Sequence, residues 1–361
     1  MIRAPKVIID KKIAQKNIRK MLSLCQGWKM DFRPHFKTHQ SAVIGEWFRA
    51  FGVHKCTVSS VGMAAYFAKH HWDDICIAIP VNIKEIEDIN TLAQKVNLLL
   101  TVDHIETVLF LKEHLSTKVS LFIEIDTGYG RSGVYYQHEE QISRILNVIK
   151  KSPFISFHGF LSHTGNTYQG KDAQEISVFF EQARQRMLYL KNIYKETYPN
   201  LVISLGDTPS SAFAKDFSGI DEWRPGNFVF YDFMQYVHSV CKMEEIALML
   251  HCPIIGIYPE RNEVVIYGGG VHFSKESITY HGQKVFGMIY SPNIEHAEEA
   301  FKVVSLSQEH GIISVSKDFI EQLSIGDILK IIPIHSCLTA DLYGHYLTDR
   351  GDKIEKYRTN K

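Results

Sequence analysis

Lys37 is the first residue whose position in this chain indicates chemistry. It lies in the stretch RPHFKTHQS (Arg33–Ser41), at the end of a strand-like run, with one histidine two residues before it and another two residues after it. A lysine in a loop is usually a solvated charge, but an amine held at the end of a buried strand acts as a nucleophile toward carbonyl groups in many enzymes. The rest of the sequence decides between these two interpretations.

The elements that would position Lys37 follow a regular alternation. Apolar, β-branched runs alternate with segments whose apolar residues recur at helical spacing, which is typical of parallel strands joined by crossover helices. The predicted strands are residues 30–37, 55–60, 74–80, 96–103, 120–127, 155–163, 201–207 and 222–230. Eight such units predict a (β/α)8 TIM barrel, and an open doubly wound sheet is the alternative.

The sequence changes character after about Gln235. Short alternating strands with turn residues, as in LMLHCPIIGIYPERNEVVIY, predict an antiparallel β domain. The N-terminal strand KVIID precedes the first barrel helix and is expected to join that domain. The predicted domains are therefore 12–235 for the barrel, and 1–11 together with 236–361 for the β domain.

Two predicted strand ends are suited to bind a phosphate group. The segments GDTPSS and RPGNFVFYD offer backbone N–H groups near Gly206, Gly226 and Asn227, and a hydroxyl group at Thr208. Such loops bind phosphate without a cationic side chain. Each segment alone is also typical of an ordinary turn. Their joint position after strands seven and eight is, however, where barrels often bind phosphate.

A lysine and a phosphate site in one barrel suit pyridoxal 5'-phosphate. The amine of Lys37 would form a Schiff base with the aldehyde, and the phosphate would anchor the other end of the cofactor. Arg131 in GYGRSG either donates to the phenolic oxygen or is a surface arginine. Arg224 either contacts the ring nitrogen or is an exposed arginine before a turn. Since a guanidinium group keeps its proton, a ring nitrogen next to Arg224 would stay unprotonated and the ring would withdraw electrons less strongly.

The segment PIHSCLTADLY places His335 and Cys337 two residues apart. If this segment is a strand, both side chains point to one face. Imidazole and thiolate are common zinc ligands, and two protein ligands leave positions for substrate and water. A buried histidine beside a small buried cysteine is the alternative interpretation.

Composition narrows the classes of partner. The chain has 361 residues, is 45% hydrophobic and has a formal net charge of zero, which argues against nucleic acid or an anionic membrane as a partner. Apolar stretches stay shorter than the roughly 20 residues that span a bilayer. Six cysteines in so long a chain do not form the pattern of a disulfide framework. We therefore expect a soluble, cytoplasmic protein that acts on a small molecule.

Seven motifs together resemble those of a known family. In chain order they are RPHFKTH, EIDTGYGRSGV, LSHTGNTY, GDTPS, RPGNFVFYD, SLSQEHG and PIHSCLT, and they extend over nearly the whole chain. This set resembles the eukaryotic-type D-serine dehydratases and D-threonine aldolases, which are fold-type III pyridoxal phosphate enzymes related to alanine racemase. The resemblance implies a (β/α)8 barrel, a β domain and a homodimer.

The resemblance also implies roles for individual residues. Lys37 would be the Schiff-base lysine, with Arg131 near the phenolic oxygen. His163 and Tyr168 would lie near the substrate. The residues around the phosphate would be Gly206, Asp207, Thr208, Asn227 and Tyr231. His335 and Cys337 would hold the metal, and H-x-C at this place is typical of the dehydratases, whereas the aldolases typically have H-x-D.

Three positions depart from the family pattern. Gln40 replaces the second lysine of KTHK, and Tyr267 replaces the aspartate of DAG. Asp341 stands where an uncharged residue is expected. These departures bear on the substrate and metal side of the site rather than on the cofactor.

The leading hypothesis is a zinc-assisted lyase that acts on a D-β-hydroxy amino acid, most simply converting D-serine to pyruvate and ammonia. Lys37 would remove the Cα proton, and zinc on His335 and Cys337 would polarise the β-hydroxyl group. If His163 instead deprotonates that hydroxyl group, the Cα–Cβ bond breaks and the protein is a D-threonine aldolase. An amino-acid racemase and a non-catalytic pyridoxal phosphate carrier are the further alternatives.

Overall fold

The computed structural model describes residues 2–290 and 301–358. Its strands, in chain order, are β1 Lys6–Ile9, β2 Asp31–Phe32, β3 Lys55–Val58, β4 Asp74–Pro80, β5 Asn97–Val102, β6 Val119–Asp126, β7 Val134–Tyr135, β8 Ile155–Leu161, β9 Val202–Leu205, β10 Glu222–Trp223, β11 Leu248–Tyr258, β12 Glu263–Tyr267, β13 Ile278–Tyr280, β14 Gln283–Val285, β15 Gly287–Ile289, β16 Lys302–Leu306, β17 His310–Ser314, β18 Ile328–Pro333, β19 His345–Thr348 and β20 Lys353–Glu355. Its α-helices, in chain order, are α1 Lys11–Gly27, α2 Ala42–Arg49, α3 Val61–Lys69, α4 Ile86–Ala93, α5 Ile105–His114, α6 Glu139–Lys150, α7 Ala173–Tyr194, α8 Ser210–Phe213, α9 Phe233–Val237, α10 Gly270–Phe273, α11 Lys317–Ile320 and α12 Ser336–Asp341.

Residues 19–226 form one compact unit around a parallel sheet. The order of its strands is β2-β10-β9-β8-β6-β5-β4-β3, and each neighbouring pair is parallel. An isolated parallel bridge between His35 and Thr57 links the segment after β2 to β3, so the eight strands form a nearly closed barrel. The short β7 pairs with β6 outside this path. The predicted (β/α)8 barrel is confirmed.

The barrel strands are apolar because both of their faces are covered, one by helices and the other by the barrel interior. In β5 every residue from Leu98 to Val102 is buried. One core cluster joins four neighbouring strands through Cys76, Leu99, Phe122 and Leu161. This double burial explains why these strands read as continuous apolar runs in the sequence.

The first and last barrel strands are shorter than predicted. β2 ends at Phe32 instead of residue 37, and β10 ends at Trp223 instead of residue 230. The cause is proline, which lacks the N–H group that a strand ladder requires. Pro34 follows β2 and Pro225 follows β10. The chain after β2 therefore turns, and Lys37 lies on that turn rather than in a strand.

Residues 2–18 and 227–358 form the second compact unit. Its main sheet has the order β12-β17-β16-β15-β18-β11-β1-β19-β20 in the described residues, and the pairing is antiparallel except between β1 and β19. Burial alternates along most of β11, as expected for a sheet with one covered face. The predicted antiparallel β domain is confirmed, and so is the participation of the N-terminal strand KVIID in its sheet.

The predicted domain boundaries, 12–235 for the barrel and 1–11 with 236–361 for the β domain, stay a prediction. Met1 and residues 291–300 and 359–361, which fall within the second range, lie outside the described residues. None of the described helices combines the length and the hydrophobicity that a membrane span requires. All six cysteines are described, and none of them forms a disulfide bond.

His251 makes the second unit sensitive to acid. It lies on β11, opposite Lys6 of β1 and Lys330 of β18. Burial and the charge of Lys330 lower the pKa of His251 from 6.5 to about 4. Between these two pKa values the unfolded chain binds a proton that the folded chain does not bind. The free energy of unfolding therefore falls as the pH falls through this window.

We expect the variant His251→Gln to lose less stability than the wild type on acidification from about pH 7 to about pH 4.5. The difference should be roughly 1–2 kcal/mol, because one pKa unit is worth about 1.4 kcal/mol and the partly exposed ring is screened by water. Urea unfolding followed by circular dichroism at both pH values measures this difference. The exposed His138 offers the control His138→Gln, which should lose as much stability as the wild type. Equal acid sensitivity of His251→Gln and the wild type contradicts the prediction.

Candidate active site

Lys37 lies on a tight turn between β2 and α2. The turn covers residues 36–39 and is closed by the backbone N–H of Gln40, which donates to the carbonyl oxygen of Phe36 at 2.8 Å. The side chain of Gln40 donates from Nε2 to the carbonyl oxygen of Lys37 at 3.2 Å. Gln40 has a left-handed backbone with φ of 51°, which non-glycine residues adopt rarely. The backbone of the Lys37 turn is thus held from both sides, while the side chain of Lys37 is exposed.

Positive charge concentrates next to Lys37. The charges of Lys37, Arg131 and Arg224 all act on the same two imidazole rings, His35 and His163. Burial, reinforced by these charges, lowers the pKa of His163 to about 3 and the pKa of His35 well below its usual value. Both rings are therefore neutral near neutral pH. Three cations around two neutral rings favour an anionic ligand.

His163 is oriented by the loop that follows β9. Its Nδ1 lies 3.2 Å from the carbonyl oxygen of Gly206. A carbonyl oxygen only accepts hydrogen bonds, so Nδ1 carries the proton and Nε2 keeps its lone pair. The structure thus brings His163 together with Lys37, Arg131 and Arg224, and presents it as a neutral base.

Arg224 is a buried part of the barrel interior rather than an exposed arginine before a turn. Its Nε donates to the hydroxyl group of Ser204 at 2.6 Å, and its guanidinium Nη2 donates to the carbonyl oxygen of Ser162 at 2.7 Å. Ser204 in turn donates to Glu222 at 2.6 Å, and Glu222 pairs with Arg33. These bonds fix the direction of the Arg224 guanidinium group.

The loops after β9 and β10 depend on two glycines. A Cβ atom at Gly206 would lie 2.4 Å from the backbone nitrogen of Arg224, and a Cβ atom at Gly226 would lie 2.9 Å from Oγ1 of Thr38. Only glycine allows these close approaches. Because Thr38 follows Lys37 directly, the loop after β10 lies against the Lys37 turn. Gly226 thus lies beside the Lys37 turn, and the phosphate contacts predicted for Gly206 and Gly226 stay a prediction.

Asp207 and Tyr168 hold the loop after β9 in place. The Oδ1 atom of Asp207 accepts from the hydroxyl group of Thr167 at 2.9 Å and from the backbone N–H of Ser210 at 2.7 Å. Burial raises the pKa of Asp207 to about 6. An ionised carboxylate offers no donor to a phosphate, so the side chain of Asp207 orders the loop. The backbone N–H of Thr208 donates to the hydroxyl group of Tyr168 at 3.3 Å.

His335 and Cys337 contact each other in the second unit, but not for the reason predicted. β18 ends at Pro333 and His335 directly precedes α12, so the prediction of a strand with both side chains on one face was wrong. The two side chains are nevertheless hydrogen-bonded. Burial acts to lower the pKa of His335, but the charges of Cys337 and Asp232 outweigh it and raise the pKa to about 11.

Asn227 belongs to the same group of side chains. Its Nδ2 atom donates to Oδ2 of Asp232 at 2.6 Å and lies 3.7 Å from Sγ of Cys337. Tyr231 has a left-handed φ of 50°, and burial raises the pKa of its hydroxyl group. The phosphate contacts predicted for Asn227 and Tyr231 stay a prediction. In the described ranges, 2–290 and 301–358, no place gathers three or more His, Cys, Asp or Glu side chains in an arrangement suited to a metal ion.

The chain matches two protein-family models. Residues 247–348 match the model described as "Putative serine dehydratase domain", and residues 9–232, more than half of the chain, match the model described as "Alanine racemase, N-terminal domain". This chain belongs to the alanine racemase N-terminal domain family.

Within this family the chain is similar along its full length to named enzymes. It is 27% identical to a D-serine dehydratase of Dictyostelium discoideum, over 100% of this chain and 97% of that one. It is 26% identical to a D-serine dehydratase of Schizosaccharomyces pombe, over 98% of this chain and 90% of that one. Its fold matches the D-threo-3-hydroxyaspartate dehydratase from Delftia sp. HT23 with a TM-score of 0.90 and 24% identity, over 99% of this chain and 98% of that one. The predicted resemblance to this group is confirmed.

Sequence reasoning missed three residues at the two sites of this alanine racemase family member. His35 precedes Lys37 by two residues, and its side chain joins the cationic cluster. Glu124 is buried in β6, where burial raises its pKa and its Oε1 accepts from Ser132 at 3.0 Å. Asp232 directly precedes α9, a position typical of a helix N-cap. In each case the sequence feature that could have indicated the residue is a polar side chain beside or inside an apolar run.

Proposed function

We propose that this protein is a pyridoxal phosphate-dependent lyase that acts on a D-β-hydroxy amino acid, and most simply a D-serine dehydratase. The observation that carries the proposal is the cluster of Lys37, Arg131, Arg224 and a neutral His163 at the ends of the barrel strands. Full-length similarity to two D-serine dehydratases supports the choice of substrate.

The barrel residues fit pyridoxal phosphate. Their three cations surround neutral imidazoles, which suits an anionic ligand, and the amine of Lys37 would attach to its aldehyde group. Arg131 would donate to the phenolic oxygen, and Arg224 would contact the ring nitrogen. The phosphate would be held by the loops that contain Gly206, Asp207, Thr208, Gly226, Asn227 and Tyr231, with Tyr168 beside them. When bound, the cofactor withdraws electrons from the substrate Cα and so makes the Cα proton acidic.

Lys37 is the residue proposed to move the Cα proton. The side chain of Lys37 is exposed on a turn whose backbone is fixed by Gln40. The amine therefore has room to reach a substrate while the backbone of the turn stays in place. His163 lies in the same cluster and keeps the lone pair of Nε2. It is proposed to orient the substrate by accepting a hydrogen bond at Nε2.

His335 and Cys337 are proposed to bind zinc. They supply one imidazole and one thiol, and these two side chains already share a hydrogen bond, so the donor set fits zinc. Bound zinc would act as a Lewis acid that weakens the bond between the β-carbon and its hydroxyl group. His335 and Cys337 would occupy two coordination positions, which leaves others for the substrate and water.

Pyruvate release from D-serine by the purified holoenzyme tests the proposal. We expect pyruvate from D-serine and none from L-serine, and we expect a zinc chelator to lower the rate by about 10²-fold or more. D-threo-3-hydroxyaspartate serves as a second substrate, because it carries the same β-hydroxyl group on a longer side chain. Equal rates with both serine isomers would refute the stereochemical proposal, and a chelator-insensitive rate would refute the role of zinc.

A D-threonine aldolase is the second candidate. The observation that favours it is the neutral His163, whose Nε2 could remove a proton from the β-hydroxyl group. In that case D-threonine would yield glycine and acetaldehyde, and D-serine would yield no pyruvate. Product analysis with both amino acids separates the two reactions.

The chain is further proposed to form a homodimer and to reside in the cytoplasm. The resemblance to the D-serine dehydratase group supports the dimer. Six cysteines without a disulfide bond support a reducing compartment. Light scattering of the purified protein tests the first of these two proposals.

A further inference from the structure

We propose that the second unit carries a binding site for a small monocarboxylate with an apolar chain, in a cavity on one face of its sheet. The cavity has a volume of about 700 Å³, which is a usual size for small-molecule sites. Its lining residues lie on β1, β11, β18 and β19 and in the chain next to these strands. Among the described residues, the lining includes neither barrel residues nor His335 and Cys337. The site is therefore independent of the proposed function.

The cavity lies on the more open face of the sheet. Side chains alternate along a strand, and in β1 the residues Lys6 and Ile8 are partly exposed and line the cavity. Val7 and Ile9 between and after them are 1% and 0% exposed. The lining residues of neighbouring strands therefore form rows across this face, and each row has its own chemistry.

The first row is cationic. Lys6 of β1 is paired with His251 of β11, and His251 is paired on its other side with Lys330 of β18. All three line the cavity. Within the part of the chain that the structure describes, the side chain of neither lysine forms an ion pair or a hydrogen bond. Two ammonium groups without a counter-charge on either side of an imidazole ring suit a carboxylate group.

The second row is apolar. Ile8 is paired with Met249 of β11 on one side and with Leu347 of β19 on the other. These three side chains are half-buried and line the middle of the cavity. Apolar side chains on the open face of a sheet gain free energy when an alkyl chain covers them. The row next to the two lysines is thus suited to the chain that carries the carboxylate.

The third row is acidic and sets a limit on the ligand. Asp10 follows β1, and its backbone N–H donates to the carbonyl oxygen of Ala247 at 2.9 Å. Asp349 follows β19, and both carboxylates line the cavity. Four residues of extended chain place Asp10 roughly 13 Å from Lys6. A second anionic group at the far end of the ligand would be repelled there. The cavity therefore favours a monocarboxylate of medium chain length.

Octanoate is the probe that tests this site. The full-length holoenzyme is labelled with carbon-13 in the methyl groups of methionine, and Met249→Leu identifies the NMR signal of Met249. We expect octanoate to shift this signal in a saturable way with a Kd below about 1 mM, and to leave Met63 of α3 unchanged. Hexanoate should bind about 5- to 15-fold more weakly, since it lacks two methylene groups. Octylamine and the dicarboxylate suberate should each bind at least about 10-fold more weakly than octanoate.

Two variants test the cationic row directly. The double variant Lys6→Met with Lys330→Met keeps the length of both side chains and removes their charges, so it should bind octanoate at least about 10-fold more weakly. The control is Lys317→Met. Lys317 is an exposed lysine of α11 in the same unit and is absent from the cavity lining, so this variant should match the wild type. If the double variant does not fold, Lys330→Met alone replaces it, because Lys330 is exposed.

Three results would overturn the proposal. The first is a Met249 signal that stays in place up to about 10 mM octanoate, which is also the result expected if a second copy of the chain fills the cavity. The second is octylamine or suberate binding as tightly as octanoate, which would mean that the charged rows do not select the ligand. The third is an unchanged octanoate affinity in the lysine variants.

Discussion

The variant Lys37→Ala should lose the long-wavelength absorbance of bound pyridoxal phosphate and more than about 10³-fold in the rate of pyruvate release. Two losses combine in this one change. The amine that attaches the cofactor is gone, and so is the base proposed to take the Cα proton. Because the side chain of Lys37 is exposed on its turn, the fold should not depend on it. Circular dichroism should therefore show an unchanged fold.

Two further variants make this test specific. Lys37→Arg keeps the positive charge beside His163 but has no amine to attach to an aldehyde, so it should behave like Lys37→Ala. Lys215→Ala removes an exposed lysine after α8, in the same unit, and should keep both the absorbance and the rate. An unchanged spectrum in Lys37→Ala would show that another residue holds the cofactor.

The variant Arg33→Met should lower the free energy of unfolding by about 3–5 kcal/mol, because it leaves a buried carboxylate without its partner. Arg33 is 1% exposed, and its guanidinium group lies 2.5 Å from Glu222 and 2.5 Å from Asp74. Burial alone would raise the pKa of Glu222, but Arg33 beside it lowers that pKa below its usual value. Without Arg33, the buried charge of Glu222 is supported only by neutral or more distant groups such as Ser204.

The pH dependence of this loss has a definite sign. In the wild type the stability contributed by Glu222 is present above the unfolded pKa and is lost as pH falls. In Arg33→Met the buried carboxyl group of Glu222 is easier to keep protonated than to ionise. The loss in the free energy of unfolding relative to the wild type should therefore grow from about pH 4.5 to about pH 8. Urea unfolding at several pH values measures it. Arg144→Met, which removes an exposed ion pair to Glu140, should cost less than about 1 kcal/mol. Equal effects of the two variants would show that the buried pair contributes little.

The barrel could be predicted from the sequence because double burial makes several of its strands largely apolar, as in Leu98–Val102 of β5. The ends of the first and last strands could not, since Pro34 and Pro225 end them early although the apolar pattern continues. Lys37 still lies near His163, Arg131 and Arg224, because the loops at the carboxyl ends of parallel strands meet at one end of a barrel.

The side chains of His335 and Cys337 lie together although the local structure predicted for them was wrong. His335 and Cys337 were expected on one face of a strand, and they contact each other at the start of α12 instead. Their support comes from Asp232, which is 103 residues away in sequence from His335. Contacts between residues so far apart leave no periodic pattern, so sequence reasoning had no means of finding this one.

The pairing of β1 with β19 also affects the order in which the two units can fold during translation. β1 leaves the ribosome before the barrel strands, but its neighbours in the sheet are β11 and β19, which are made after them. Residues 19–226 can fold while translation continues, since domains fold as units, whereas the sheet of the second unit waits for β11 and β19. During that interval the N-terminal strand has an unpaired edge and is open to chaperones and to wrong pairing. A fusion partner attached before β1 would therefore act on the last step of folding and not on the first.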